Sequence, residues 1–172
     1  RALSFDGDDD LVSVPDSASL DLTTGMTLEA WVRPEAATDW RTIIFKETAG
    51  HSAYALYANG ETDVPSVYLN GVSGALGTSE LEPGKWAHLA ATYDGANLRL
   101  FVNGTLAGSI PHEGDLSATD GPLTFGANHV WGEHFRGLID EVRVYSRALS
   151  ATEILGDMNR SVTPDVTPPT VT

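Results

Sequence analysis

The chain contains no cysteine. A disulfide framework, a thiolate metal site and a cysteine nucleophile are all excluded by that absence. Basic residues are scarce: 10 Lys and Arg stand against 24 Asp and Glu, for a formal net charge of −14. A nucleic-acid backbone is held by clustered Lys and Arg, and an anionic lipid surface attracts the same cations, so neither partner suits this chain. Divalent cations and neutral ligands remain compatible, and a solubilising surface accounts for most of the acidic excess by itself. No apolar run approaches the ~20 residues of a membrane-spanning helix, so membrane insertion is not expected. The opening Arg1-Ala-Leu-Ser-Phe5 is strand-like rather than a signal peptide.

What is there fits one domain. The 172 residues, 41% of them hydrophobic, suffice for a substantial core. Strand signals dominate. Met26-Thr-Leu-Glu-Ala-Trp-Val-Arg33 alternates, with Met26, Leu28, Ala30 and Val32 on one face, and Pro34 ends it. Residues 41–46, 52–57 and 64–69 read as further strands, separated by turn signals at Gly50, Asn59-Gly60 and Asn70-Gly71. Residues 86–93, 98–102 and 105–110 form a three-stranded meander, turned by Asp94-Gly95 and by a type I′ Asn103-Gly104. Residues 122–126 and 137–145 supply late strands. Ser150-Ala-Thr-Glu153 is a capping-box pattern, which predicts one short helical turn. Many short strands, Gly-rich turns and one terminal helical turn predict an all-β fold, an antiparallel two-sheet sandwich. The domain is expected over 1–160. Residues 161–172, ending Thr163-Pro-Asp-Val-Thr-Pro-Pro-Thr-Val-Thr172, read as a Pro/Thr-rich linker to a following domain of a longer chain.

The late strand Gly137-Leu-Ile-Asp-Glu-Val-Arg-Val-Tyr145 carries the most pointed expectation. Simple alternation puts Leu138, Asp140, Val142 and Val144 on one face. An ionised carboxylate among core residues is costly unless a cation or several donors satisfy it. Asp140 is thus expected to be either a hydrogen-bond hub or a metal ligand, and Asp6-Gly-Asp-Asp-Asp10 could supply further oxygens.

Four motifs carry a family resemblance. Leu3-Ser-Phe-Asp-Gly7 with Asp10-Leu-Val12, Met26 to Pro34, Trp86-Ala-His-Leu-Ala-Ala-Thr-Tyr-Asp-Gly95 followed by Leu98-Arg-Leu-Phe-Val-Asn-Gly104, and Phe135 to Tyr145 with Arg147-Ala-Leu-Ser150 occur in that order. Together they resemble the laminin-G-like, concanavalin-A-like jelly-roll domains. The resemblance implies a jelly roll used as an accessory module of large secreted or cell-surface proteins. It also implies a structural calcium between the opening motif and the closing strand, with Asp6 and Asp140 at the matching positions. Leu11 departs from the pattern, where an aromatic is common. The fold hosts lectins, adhesion modules and enzymes, so it does not name the function.

The candidate sites follow. For calcium, which takes six to eight oxygens, the ligands expected with the resemblance are Asp6, Asp10 and Asp140; Asp8 and Asp9 read as a solvated turn. For a glycan, flat aromatic faces in loops are the signal, and Trp40 and Trp131 are the most loop-like tryptophans, with Tyr57 and Asn128 as helpers. The alternative is that both tryptophans fold back to cap the sandwich. Trp31, Trp86 and His88 lie in strand motifs and read as structural. His129 and His134 flank Trp131 without an evident third partner for zinc. Glu61-Thr-Asp63-Val-Pro-Ser66 starts like a jelly-roll glucanase strand but lacks its final carboxylate and is broken by Pro65. No Gly-x-Ser-x-Gly elbow is present. The sequons at Asn103 and Asn159 carry little weight, since the linker style points to a bacterial source. The sum is a monomeric, non-catalytic, calcium-stabilised carbohydrate-binding module. The alternatives are an adhesion or spacer domain that meets a surface protein without a sugar site, and, third, a glycoside hydrolase.

Overall fold

Alternation sets the layers of this protein. Met26, Leu28, Ala30 and Val32 all lie in the main core cluster, on the face that the sequence assigns to them. The computed structural model describes residues 2–36 and 38–162. In chain order its strands are β1 (Leu3–Asp6), β2 (Val12–Val14), β3 (Met26–Pro34), β4 (Arg41–Glu47), β5 (Ser52–Asn59), β6 (Ser66–Leu69), β7 (Val72–Leu76), β8 (Ala87–Tyr93), β9 (Asn97–Val102), β10 (Thr105–Pro111), β11 (Leu123–Phe125) and β12 (Arg136–Tyr145), followed by helix α1 (Ala151–Met158). They form two six-stranded antiparallel sheets, one ordered β1-β12-β3-β8-β9-β10 and the other β2-β11-β4-β5-β6-β7. This is a jelly-roll sandwich. Leu28 and Val32 of the first sheet share one core with Ile44, Tyr54 and Leu56 of the second.

The meander is built as the sequence predicts. Asn103 and Gly104 have φ of 51° and 74°, the pair of positive values a type I′ turn demands, and Thr105 pairs with Val102 directly across it. The terminal helix is longer than one turn, at eight residues. Its capping box is complete: Ser150 Oγ accepts the Glu153 N–H at 3.3 Å, and Glu153 Oε2 accepts the Ser150 N–H at 2.8 Å. Ile154 packs with Leu149, Ala90 and Phe101. The helix thereby covers the outer face of the first sheet and buries Glu29 and His88, which that face carries. The part of the expected linker from residue 163 onward lies outside the described residues.

The closing strand corrects the expectation for Asp140. Asp140 pairs with Trp31 and Arg143 with Glu29, so three steps on β12 match two on β3. The extra residue is a β-bulge, with Glu141 at φ 53°. It shifts the alternation by one. Ile139 enters the core before the bulge, and Val142 and Val144 pack on it afterwards. Asp140 faces away from the core, half-buried, and its Oδ1 accepts the Glu141 N–H at 2.9 Å. The burial cost that singled it out does not arise. No helix among the described residues is long and apolar enough to cross a membrane.

Candidate functional site

The outer face of an antiparallel sheet is ordinarily polar. Here the second sheet carries aromatics on that side. Tyr54, Leu56 and Ala58 of β5 point into the core, while Ala55 and Tyr57 point outward into a separate cluster with Phe45, Trp40, Tyr68 and Val130. The rings meet edge to face or tilted. Centroids are 5.0 Å apart for Trp40–Tyr57, 5.4 Å for Trp40–Tyr68 and 5.7 Å for Tyr57–Tyr68. Such pairs are stabilising beyond their buried area and hold each ring in a fixed orientation.

The loop after β11 closes over one side of this face. It leaves the strand at Gly126, where φ is 79° and a Cβ would come 2.1 Å from the Phe5 ring, so only glycine fits. Asn128 and Gly132 then exchange backbone hydrogen bonds of 2.9 and 3.0 Å. The Asn128 side chain, 2% exposed, is the centre of the loop. Its Oδ1 accepts the Trp131 N–H at 2.7 Å, and its Nδ2 donates to Glu133 Oε2 at 2.7 Å and to Thr42 Oγ1 at 2.9 Å. Glu47 anchors the same loop from β4: its Oε1 accepts the His129 N–H and pairs with His129 Nδ1, each at 2.8 Å. The result is a presented Trp131, 54% exposed, with its ring 5.8 Å from Phe45 at 88°.

Between Trp40 and Trp131 lies an open groove of about 410 Å³, within the range of small-molecule sites. Tyr57 and Tyr68, Ser52, Gly71 and Glu133 complete its lining. Glu133 turns into place with φ 51°. Its Oε2 receives Asn128 Nδ2, the Tyr57 hydroxyl at 3.0 Å and the Thr42 hydroxyl at 3.4 Å. Burial pushes its carboxyl above the usual range, and the hydrogen bonds from Asn128, Tyr57 and Thr42 pull it back in part. Burial, and then the Glu133 charge, raise the Tyr57 phenol far above its ordinary value, which keeps it a neutral donor. The groove thus offers two indoles, one carboxylate acceptor and hydroxyls.

Of the residues expected to hold a glycan, Trp40, Tyr57 and Trp131 line this one groove. Asn128 does not; it sits behind the wall and positions Trp131 and Glu133. Four lining residues, Ser52, Tyr68, Gly71 and Glu133, escaped the sequence reading. Tyr68 could have been found, because it stands directly across from Ala55 and one alternate position from Tyr57 on the outward face. Glu133 carries no sequence signal beyond lying in the loop with Trp131. Trp86 was expected to be structural but precedes β8 and is 41% exposed. His88 is fully buried beside Trp31, at 5.4 Å, and burial lowers its pKa to about 4.

The expected metal ligands do not converge as a set. Asp6 pairs with Arg136 while Leu3 pairs with Ile139, so Asp140 lies four register positions from the residue opposite Asp6. At about 3.4 Å per residue that is roughly 13 Å, too far for one ion. What the fold does gather is Asp6, Asp9 and Asp10, with one carboxylate oxygen from each within 4.8 Å of the others. Asp9, read from sequence as a solvated residue, joins the cluster. Asp6 Oδ1 accepts the Asp8 N–H and Asp10 Oδ2 the Asp6 N–H, both at 2.9 Å. The hydrogen bond from the Asp8 backbone is the main cause that holds the Asp6 carboxyl below its usual value. Among the described residues no Lys, Arg or His pairs with the three: the nearby Arg136 is bonded to Glu35. A compact set of carboxylate oxygens without a cation fits a hard divalent ion by its donor chemistry.

Comparison with known proteins places this geometry. The family model described as the concanavalin A-like lectin/glucanases superfamily matches residues 6–155. Among solved structures, the chain is similar to domain 4 of AbnA, a GH43 extracellular arabinanase from Geobacillus stearothermophilus, in complex with arabinotriose: TM-score 0.76, 23% identity, 92% of this chain and 76% of that one. It is also similar to the CBM40 of a Ruminococcus gnavus IT-sialidase bound to α2,3-sialyllactose, with TM-score 0.70, 13% identity, 92% of this chain and 96% of that one. At these identities the likeness is one of fold. Among curated proteins, mouse pappalysin-1 is 36% identical over 84 residues, which are 44% of this chain. The match spans only 5% of that relative's length.

Proposed function

Because the chain belongs to the concanavalin A-like lectin/glucanases superfamily, a fold that carries binding modules and enzymes alike, we propose from its own groove that it is a non-catalytic carbohydrate-binding module. The observation behind this reading is the convergence of Trp40, Tyr57, Tyr68 and Trp131 around Glu133 on an outer sheet face. Sugar rings present apolar C–H faces ringed by hydroxyls. The indoles of Trp40 and Trp131 can pack on such faces, and Glu133 Oε1, Tyr68 and Ser52 can pair with hydroxyls. Structures of similar fold have been solved with arabinotriose and with sialyllactose, which supports the class of ligand without choosing it.

The same lining speaks against hydrolysis. Glycosidases set two carboxyl groups about 5–9.5 Å apart across the scissile bond. Among the described residues that line the groove, Glu133 is the only carboxylate. Asp63, in the stretch that resembles a glucanase motif, stands in the turn after β5 at φ 56°, off any strand.

Calcium enters the proposal as a structural ion at Asp6, Asp9 and Asp10. Bound there it would neutralise a cluster that is otherwise self-repelling. Its role is to hold the loop between β1 and β2. The module acts as a monomeric part of a longer secreted or surface protein. A glycan array probed with the purified domain tests the function: discrete glycan hits that Trp131→Ala weakens support it. An empty array, or hits indifferent to Trp131, would leave the adhesion or spacer reading in its place.

A further inference from the structure

We propose that the groove selects by charge, taking glycans whose bound residue is uncharged and turning away carboxylated ones, with Glu133 as the specificity-determining group. The inference rests on the carbohydrate-binding reading of this site and goes on to name the ligand class. Among the described residues, the lining contains one carboxylate and no cation. Glu133 is the acid; the other lining residues are Trp40, Ser52, Tyr57, Tyr68, Gly71 and Trp131. Among the described residues, Lys46 and Arg41 of β4 and His129 of the loop after β11 are already engaged. Lys46 is fully buried against Asp16 and the Gly121 carbonyl. Arg41 donates to the His134 and Thr38 carbonyls at 2.6 and 3.0 Å and stands 3.6 Å from Asp39. His129 is tied to Glu47.

A carboxylate is an acceptor only. Three donors occupy Glu133 Oε2, so a further partner must bring its own hydrogen to Oε1. A sugar hydroxyl does. A uronate or sialate carboxylate does not, and it would add a like charge in a partly buried setting where water screens poorly. The field is reinforced from the rim. Both Glu61 and Glu133 act on Tyr68, where burial is the main cause that raises the phenol and the two negative charges raise it further. The net charge of −14 sets the same sign at long range.

The test is an array of neutral oligosaccharides and their carboxylated counterparts, such as lactose with sialyllactose and galacto-oligosaccharides with oligogalacturonides. At low salt the hits should be neutral, with roughly tenfold or greater preference within each pair. On the unaltered protein the gap should narrow in about 1 M NaCl, where the screening length is about 3 Å. Glu133→Gln, with folding checked by circular dichroism, should weaken neutral binding and raise the relative affinity for the carboxylated partner about tenfold. Equal binding of both members of each pair, weakened alike by Trp131→Ala, overturns the charge selection and leaves the glycan site standing. So does a ratio insensitive to salt, a result that needs no variant to fold. An array with no Trp131-dependent hits sinks the site and the selection together.

Discussion

Asn128 and Glu133 are locked to each other across the loop that presents Trp131, with Nδ2 donating to Oε2 at 2.7 Å. The same amide receives the Trp131 backbone through Oδ1. One buried side chain therefore sets both the stacking wall and the acceptor of the groove, although it touches neither the solvent nor the space where a ligand would sit. Asn128→Ala should cost about 1–3 kcal/mol of stability, because it strips buried partners from Glu133 and Thr42. It should also weaken glycan binding as much as removal of Trp131 does. Chemical denaturation and a binding isotherm on the same variant check both effects.

Trp131→Ala should behave differently. The ring is more exposed than buried and makes one aromatic contact, to Phe45. Stability should change by no more than about 1 kcal/mol. Affinity should fall about tenfold, which is about 1.4 kcal/mol. Trp86→Ala, on the opposite sheet, should leave affinity unchanged. Equal losses from the two variants would mean that the sugar does not sit in this groove.

The metal prediction follows the geometry of the first loop. Calcium at about 100 times its dissociation constant should add roughly 2.7 kcal/mol to folding stability. The melting temperature should fall on chelation and recover with calcium, and Asp6→Asn or Asp9→Asn should blunt the response. Asp140→Asn should leave it intact, since Asp140 is roughly 13 Å along the sheet from Asp6. Identical melting curves in chelator and in millimolar calcium would remove the ion from the proposal.

Two buried groups under α1 give opposing pH dependences. Burial, with the nearby Asp157 charge, raises Glu29 to about 7 from the ordinary 4.5, against the pull of Arg143. The folded protein then holds a proton the unfolded chain has lost, so this contribution declines as pH rises from about 4.5 to about 7. Burial, and then the charge of Arg143, lower His88 to about 4 from 6.5. There the unfolded chain binds the extra proton, so stability rises with pH from about 4 to about 6.5. The two trends offset each other in the intact protein. Glu29→Gln should expose the rising limb and His88→Gln the falling one. Thermal melts between pH 4 and pH 8 read both slopes; parallel profiles in the two variants would contradict the assignment.

Period-two patterning and turn chemistry made the sandwich legible from sequence, because both are local. Met26 to Val32 needed only the alternation, and Asn103-Gly104 only the demand for positive φ. β7 was missed because Gly74 interrupts its alternation, although Asn70 and Gly71, with φ of 51° and 68°, do turn the chain back onto β6. The bulge in β12 was invisible for another reason. Its left-handed residue is Glu141 rather than glycine, and nothing in an unbroken Leu-Ile-Asp-Glu-Val-Arg-Val run shows where the phase slips. That one slip turned Asp140 off the core face, while the pairing of Asp6 with Arg136 kept the two carboxylates apart along the sheet. The groove was legible in part. Loop tryptophans stand out, but Glu133 reaches the wall only because Asn128, Tyr57 and Thr42, from three different segments, converge on it.

The four tryptophans offer the most direct measurement. Trp40 and Trp131 line the groove, while Trp31 and Trp86 belong to the opposite sheet side. In a nitrogen-15 labelled sample each indole N–H gives its own resonance, assignable with single Trp→Phe variants. Titration with a neutral oligosaccharide that binds on the array should shift the Trp40 and Trp131 signals together, with one dissociation constant, and leave Trp31 and Trp86 in place. Shifts confined to Trp31 and Trp86, or saturable binding that moves none of the four, would contradict a glycan site between Trp40 and Trp131.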